Sequence, residues 1–293
     1  MNKLPYLHYG KDKNSLVKTY FIALIPLLLF SFYKNGILLY QNKLISFIDM
    51  FIPLYFYIIS ILVGFLVAYL NKSDKREYVL YALILACTIS INTNMLLYPI
   101  VLFVSLFIAS FLQKKKEFNL LASTRILLIL ALLLNSYSYM NVAEKIEAFN
   151  YNYLDIFIGY GVGGLASNSL FCCFIAFLIL SFNKFYKKVI PIASSFSAFI
   201  VFILLFFITK NEIYLENLLN GSLYFAFVFV GTDLYVSPYT KMGKIIYGLV
   251  IGLFTALLSI FVPIYEAPYL VILFVSLFFP VFDKIIPKKR LQA

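Results

Sequence analysis

The stretch at residues 229–248, FVGTDLYVSPYTKMGKIIYG, places a carboxylate and several hydroxyls between the strongly apolar runs SLYFAFVFV and IIYGLVIGLF. Because Pro238 restricts Ser237 to extended geometry, one helix cannot continue through this point. A carboxylate at bilayer depth, here Asp233, costs about 2.5–3.5 kcal/mol unless it is partnered or hydrated. The stretch therefore predicts a broken membrane helix whose polar groups face the protein interior. The alternative is that Asp233 caps a cytoplasmic loop.

The composition indicates a polytopic membrane protein. Of the 293 residues, 63% are hydrophobic and 13% are charged, and the mean hydropathy is +0.93. A soluble domain of this length needs far more polar surface. We expect ten apolar runs to cross the bilayer, either with some tilt or as broken spans. These runs are about 19–33, 46–70, 78–95, 98–112, 119–140, 161–182, 190–209, 222–237, 245–262 and 267–282.

The basic residues are distributed unequally among the gaps between these runs. The set of gaps that includes both termini holds most of the 24 Lys and Arg residues. The other gaps hold only Lys34, Lys43, Lys145 and Lys210, and Arg125 lies inside a run. By the positive-inside rule, both termini are predicted to be cytoplasmic in the cell membrane. This asymmetry accounts for the net charge of +11, and bases dispersed in short loops argue against a nucleic-acid partner.

The ten runs divide into two sets of five. We expect residues 1–140 to form a first five-helix repeat, 141–160 an external connecting segment, and 161–293 a second five-helix repeat. Because each half holds an odd number of spans, the halves enter the membrane from opposite sides, which is the layout of inverted repeats. The predicted fold class is therefore all-α, with its functional site near the midplane where helices break.

A second predicted break is GYGVGGLASNS at 159–169, which is rich in glycine and small polar residues. The three cysteines, Cys87, Cys172 and Cys173, all fall inside predicted spans. Adjacent Cys172 and Cys173 point to different helix faces, so the sequence predicts neither a disulfide framework nor a metal site.

Several segments together carry a family resemblance. FAFVFVGTDLYVSPYTKMGKIIYGLVIG and YEAPYLVILFVSLFFPVFD are similar to the runs AFFMATDPVTSPTTxxGRLIYGxxIG and PEGVxFAILLMNxxxPLID. DIFIGYGVGGLASNS is similar to D-x-FLG-x-x-x-GSIGETS, and PYLHYGKDKNSLVKTYFIALIPLLLF and EFNLLAS are fainter matches. These patterns resemble the D subunit of the Rnf electron-transport complex and its relative, the B subunit of the sodium-pumping NADH:quinone reductase.

The resemblance implies ten transmembrane helices in two inverted five-helix repeats, with the architecture of urea transporters. It also implies a membrane subunit that holds FMN or riboflavin and couples electron transfer to cation movement, beside other membrane subunits of the complex. The redox chemistry of such a site belongs to the flavin, and the protein supplies position and polarity. The implied ion-pathway residues are Asp233 and Glu266. The implied cofactor-binding residues are Gly163, Gly164, Ser167, Asn168, Ser169, Thr232, Ser237 and Thr240.

The chain departs from the family at the position of the covalent flavin. The family attaches flavin to a threonine shortly before its GETS segment, whereas here no threonine occurs between Thr124 and Thr209. Ser136 and Ser138 are the only hydroxyl residues in NSYSYMNVAEKIEAFN besides its tyrosines. Noncovalent flavin, or none, is therefore expected. Two other classes stay open: a small-solute channel or transporter that kept the fold and lost the redox role, and a membrane glycan polymerase or flippase.

Overall fold

The computed structural model describes residues 9–113, 119–133, 139, 152–233 and 236–284. Every regular element in these residues is helical, as the composition predicted. The elements before residue 134 are α1 Tyr9–Phe32, a π-helical turn Tyr33–Ile37, α2 Leu38–Gln41, a 3-10 turn Asp49–Phe51, α3 Ile52–Asn71, α4 Lys75–Thr88, α5 Leu97–Gln113 and α6 Leu120–Leu133. The later elements are α7 Tyr153–Ile158, α8 Leu170–Ser181, α9 Val189–Thr209, α10 Ile213–Leu219, α11 Gly221–Phe225, a π-helical turn Ala226–Val230, α12 Lys241–Leu258, α13 Ala267–Ser276 and α14 Phe279–Lys284.

The helix lengths show that this is a multi-pass membrane protein. In the part of the chain that the structure describes, the stretches long and apolar enough to cross a bilayer are Lys13–Gln41, Asp49–Asn71, Val189–Thr209 and Lys241–Leu258. A fifth span forms if Ile213–Leu219 and Gly221–Val230, which are bent by 44° relative to each other, count as one broken span.

Each of the ten predicted runs contains a helix, but several of these helices are short. Helix α4 has 14 residues, so it is about 21 Å long, less than the hydrocarbon thickness of about 30 Å. Helix α8 begins at Leu170, well inside the run predicted at 161–182. The arrangement of ten complete spans in two inverted repeats therefore stays a prediction.

Close packing of α9 against α12 depends on small residues. A Cβ atom on Gly252 would lie 2.0 Å from the backbone oxygen of Ser194, and one on Gly248 would lie 2.7 Å from that of Ile190. Glycines four residues apart let two membrane helices approach closely, because van der Waals packing drives helix association in lipid. This contact fixes the position of α12, which begins at Lys241.

Candidate functional site

The first break, which we call the outer break, is the non-helical segment 159–169 between α7 and α8. Gly159 ends α7 with φ at +118°, in the left-handed region that favours glycine. Ser169 caps α8, because its hydroxyl accepts a hydrogen bond from the backbone N–H of Cys172. The predicted interruption at 159–169 is therefore confirmed.

The outer break meets the end of α4 inside the protein. The backbone N–H of Leu165 donates to the carbonyl of Ile89 at 2.6 Å, and that of Ala166 donates to the carbonyl of Cys87 at 2.9 Å. A Cβ atom on Gly164 would lie 2.6 Å from the backbone oxygen of Thr88, so only glycine fits there. The carbonyls that a helix end leaves unsatisfied thus find partners in a segment far along the chain.

Asn168 connects the outer break to two other segments and also binds within the break. Its side-chain oxygen accepts a hydrogen bond from Lys34 at 2.8 Å, and its side-chain nitrogen donates to the carbonyl of Gly161 at 2.8 Å. Its backbone oxygen accepts from the N–H of Gly221 at 3.0 Å. Ser167, expected beside it as a ligand, lies 3.4 Å from the hydroxyl of Ser222. The polar groups of the break are therefore engaged by the protein itself.

Lys34 does not lie in an external loop, and that part of the sequence prediction is wrong. The side chain is 2% exposed and lies in the π-helical turn that follows α1. Its amino group donates to the carbonyl of Gly159 at 3.0 Å as well as to Asn168. A basic group enters an apolar interior only where oxygen acceptors replace water, and the outer break supplies two.

The second break, which we call the inner break, lies between the π-helical turn that ends at Val230 and the start of α12, and its described residues are 231–233 and 236–240. Thr232 donates its hydroxyl to the carbonyl of Val228 at 2.7 Å, and it shares a hydrogen bond of 2.8 Å with the hydroxyl of Tyr20 on α1. Asn119, just before α6, donates its side-chain amide to the carbonyl of Val230 at 2.8 Å. These side chains stabilise the end of the π-helical turn, and Gly231, Thr232 and Asp233 directly after it are buried.

Asp233 lies in the interior at the inner break. The residue is 4% exposed, and one carboxylate oxygen accepts a hydrogen bond from the backbone N–H of Val236 at 3.2 Å. Its backbone carbonyl accepts from the hydroxyl of Ser237, also fully buried, at 2.5 Å. Asp233 is therefore buried just after a helix end, and its two predicted roles, on an ion pathway or as the cap of a cytoplasmic loop, stay predictions.

A small cavity of about 20 Å³ borders Asp233. Its wall also includes Glu77 at the start of α4 and the hydroxyl-bearing residues Tyr20 and Thr232. Glu77 forms an ion pair of 2.5 Å with Lys13 on α1. The remaining lining residues are Val17, Leu80, Tyr81, Ile84, Leu121 and Phe229. A space of this size holds about one water molecule, and polar partners for it are present.

Lys187, in the turn between α8 and α9, binds the inner break at Ser237. Its amino group donates to the backbone oxygen of Ser237 at 3.0 Å and to its hydroxyl at 2.5 Å. Burial lowers the pKa of Lys187 to about 8, although the negative charge of Asp233 acts in the opposite direction.

Thr240 belongs to a helix cap. Its hydroxyl accepts from the backbone N–H of Gly243 at 3.0 Å and donates to Asp283 at 2.7 Å, so it begins α12. Asp283 also accepts from the backbone N–H groups of Tyr239 and Thr240. Burial alone would raise the pKa of Asp283, but these hydrogen bonds outweigh it and hold that pKa below its usual value. A carboxylate at a helix N-terminus is favoured by the helix dipole.

Glu266 lies in a separate cluster. Its carboxylate forms an ion pair of 3.0 Å with Arg125, which is fully buried on α6. The same Arg125 nitrogen donates to the backbone oxygen of Thr88 at 3.0 Å and to the hydroxyl of Tyr139, which also hydrogen-bonds Glu266. The ring of Tyr269 lies 5.5 Å from the guanidinium carbon. Glu266 thus ties α6 and α13 to the end of α4.

Sequence reasoning missed most of the partners in these clusters, including Lys34, Asn119 and Glu77. The sequence analysis treated Lys34 only as a basic residue in a loop between two apolar runs. Asn119 lies in a segment that resembles the family faintly. An acidic residue at the edge of an apolar run, as Glu77 is, was the available signal. Among the described residues, no group of three or more His, Cys, Asp or Glu side chains could hold a metal ion. Ser136 and Ser138 lie outside the described residues.

Two comparisons with known proteins bear on the identity of the chain. Over 115 residues the chain is 29% identical to the D subunit of the ion-translocating oxidoreductase complex of Buchnera aphidicola subsp. Baizongia pistaciae. That match covers 36% of this chain and only 29% of the relative's length. The NQR2, RnfD, RnfE family matches residues 1–292, nearly the entire sequence. This chain therefore belongs to the NQR2, RnfD, RnfE family.

Proposed function

We propose that this chain is a membrane subunit of an ion-translocating oxidoreductase complex and that it carries a cation route past Asp233. The observation that carries the proposal is a buried carboxylate at a helix break, beside a cavity that a second carboxylate also lines. Ionisable residues inside a membrane protein are costly and typically mark ion pathways. Family membership and the name of the Buchnera relative support the same class of complex. The partners are then the other membrane subunits and the lipid bilayer.

The route begins at the α1–α4 end of the cavity. Lys13 is partly exposed and forms an ion pair with Glu77, which lines the cavity, so the proposed route starts at this ion pair. A cation that displaced Lys13 would enter between Glu77 and Asp233 and would find the oxygens of Tyr20 and Thr232 there. Carboxylate, hydroxyl and carbonyl oxygens suit hard cations such as Na⁺.

The proposal extends to topology. The end of α4 and the non-helical segment before α8 meet in the interior through backbone hydrogen bonds. This contact is what an interface between two repeats with broken helices requires. We therefore propose inverted five-helix repeats at 1–140 and 161–293, joined by 141–160, in the urea-transporter architecture, with both termini cytoplasmic.

Flavin does not fit the residues that the resemblance assigns to it. A Cβ atom on Gly163 would lie 2.6 Å from the Cβ of Asn168, so this glycine packs against protein rather than against an open cradle. The side chain of Asn168 is bound to Lys34 and Gly161, and Thr240 caps α12. FMN or riboflavin would therefore need other residues of the chain or of its partners.

One alternative has an observation in its favour. The closed packing at the outer break, with no threonine at the family's attachment position, fits a small-solute channel or transporter that kept the fold and lost the redox role. Such a protein would move its solute without an electron donor. The glycan polymerase or flippase has no comparable support among the described residues.

The test compares Asp233→Asn with Asp49→Asn in inverted membrane vesicles. Asp49 is an exposed aspartate at the loop before α3, so its change removes the same charge away from the proposed route. We expect Asp233→Asn to abolish electron-donor-driven uptake of radioactive sodium or of protons while the complex still assembles, and Asp49→Asn to retain it. Uptake near the wild-type rate in Asp233→Asn vesicles contradicts the route. Donor-independent solute uptake supports the alternative.

A further inference from the structure

Lys34 brings a basic group into the interior without a carboxylate to pair with it. The residue is 2% exposed, and among the described residues no ion pair joins it to an acidic side chain. Burying an ammonium group in this way is costly unless oxygen atoms of the protein replace its water shell. A methionine would fill nearly the same volume without that cost, so the basic group needs a reason of its own.

The oxygens that receive the amino group belong to the unwound segment of the outer break. The carbonyl of Gly159, directly after the last residue of α7, accepts from Lys34 at 3.0 Å, and the side-chain oxygen of Asn168 accepts at 2.8 Å. The Asn168 amide is held in this orientation, because its nitrogen donates to the carbonyl of Gly161 at 2.8 Å. In membrane proteins with broken helices, unwound carbonyls and helix C-terminal ends are the groups that bind cations.

The π-helical turn Tyr33–Ile37 holds the basic group in place from the first half of the sequence. Lys34 and Asn35 are adjacent in this turn, and both are buried. The Asn35 amide donates to the carbonyl of Leu165 at 2.8 Å, so a second hydrogen bond anchors the turn to the same break. Short π-helical segments inside membrane helices are frequent at functional sites. The position of the amino group is therefore set by the fold and not only by a flexible side chain.

Neutral oxygens of this kind bind a monovalent cation whether it is free or attached to the chain. Backbone carbonyls replace the hydration shell of K⁺ in channel filters without any carboxylate. Both partners of the Lys34 nitrogen are acceptors, which suits an ammonium group because it has no lone pair to offer to a donor. Attachment to the chain makes the binding intramolecular, so the occupant stays bound whatever salt surrounds the protein.

We propose that the outer break is a binding site for one monovalent cation and that the ammonium group of Lys34 is its permanent occupant. The attached cation joins α1 to the outer break and makes this contact independent of the ions in the medium. When the side chain is shortened, the site takes a small primary ammonium ion from solution. This site is separate from Asp233, and the inference does not rest on the proposed cation route.

The experiment empties the site with Lys34→Ala and refills it from solution. The atoms that this change removes are those of a propylammonium ion. Thermal unfolding of the purified full chain in detergent is followed with increasing propylammonium chloride or n-propanol. We expect the midpoint of Lys34→Ala to lie about 4 °C or more below that of the wild type, because two buried oxygens lose their donor. Propylammonium should raise it with the logarithm of its concentration, whereas n-propanol, which has a similar shape and no charge, should not.

The comparison variants are Lys34→Met and Lys184→Ala. Methionine occupies the volume without a charge, so the midpoint of Lys34→Met should stay below that of the wild type and should not respond to propylammonium. Lys184 is exposed in the turn after α8. Lys184→Ala should therefore keep the wild-type midpoint, and neither it nor the wild type should gain stability from propylammonium.

Three results overturn the proposal. One is a propylammonium response of Lys34→Ala no larger than that of Lys184→Ala, and another is an equal response to n-propanol, which would show that the charge is not needed. The third is a Lys34→Met midpoint as high as that of the wild type, and this comparison decides the question even where Lys34→Ala does not fold. Ion uptake plays no part in these measurements, so the proposed route and this site can fail independently.

Discussion

Glu266→Gln should be the most destabilising of the conservative changes at the polar clusters. The ion pair that Glu266 forms with Arg125 is 3.0 Å long, and Arg125 is fully buried. The amide keeps an oxygen near Arg125, and the bond from Arg125 to the carbonyl of Thr88 stays. The positive charge, however, loses the counter-ion that Glu266 provides in a low-dielectric surrounding. Breaking a buried pair in this way costs about 3–5 kcal/mol.

The assay measures the free energy of unfolding of the purified chain in mixed micelles, by chemical or thermal unfolding. A double variant that also replaces Arg125 is measured in the same way. Arg125→Met together with Glu266→Met replaces the buried ion pair by apolar side chains, a change that is often nearly neutral. We expect the double variant to recover most of the loss. Glu212→Gln is the control, because Glu212 is exposed and a surface change of this kind stays within about 0.5 kcal/mol. The reasoning is refuted if Glu266→Gln lowers the free energy of unfolding by less than about 1 kcal/mol. It is also refuted if the double variant is no more stable than Glu266→Gln.

Three further predictions concern topology, flavin and pH. A tag at either terminus should be cytoplasmic and a reporter near Lys145 external, and a cytoplasmic signal from 141–155 would contradict ten spans. Denatured protein should show no in-gel flavin fluorescence, and fluorescence lost on Ser136→Ala or Ser138→Ala would restore covalent attachment at a serine. Because burial lowers the pKa of Lys187 to about 8 from 10.5, the folded state releases its proton first and stability should rise between these pH values. Lys187→Met should remove this rise and Lys188→Met, which changes the neighbouring lysine, should keep it; equal pH profiles for the two variants would argue against Lys187.

Helix positions were predictable from the sequence, and helix ends were not. Apolar runs mark where helices must form, because only helices satisfy the backbone inside lipid. The run at 78–95 predicted a helix to residue 95, yet α4 ends at Thr88. It can end there because backbone N–H groups of Leu165 and Ala166 satisfy carbonyls at its end. That partner lies far along the chain, and local hydropathy carries no information about it.

The candidate site was predictable in residue type but not in contacts. Asp233 and Asn168 were expected at breaks, and both lie there in the interior. Lys34 was missed because the positive-inside rule treats every lysine between two runs as a loop charge. Its acceptors, Gly159 and Asn168, come from the other half of the sequence. A single sequence does not show which break receives a basic side chain.

Asp233 and Glu266 show why a partner decides what a buried carboxylate does. Both were expected on an ion pathway, and no hydrogen bond or ion pair joins them among the described residues. Glu266 is bound to Arg125, so a cation could reach its paired oxygen only by displacing a guanidinium held by Thr88 and Tyr139. Asp233 borders a water-sized cavity instead. The same change from carboxylate to amide should therefore give opposite signatures: Glu266→Gln lowers stability in every salt, whereas Asp233→Asn removes only the part of the stability that depends on the cation.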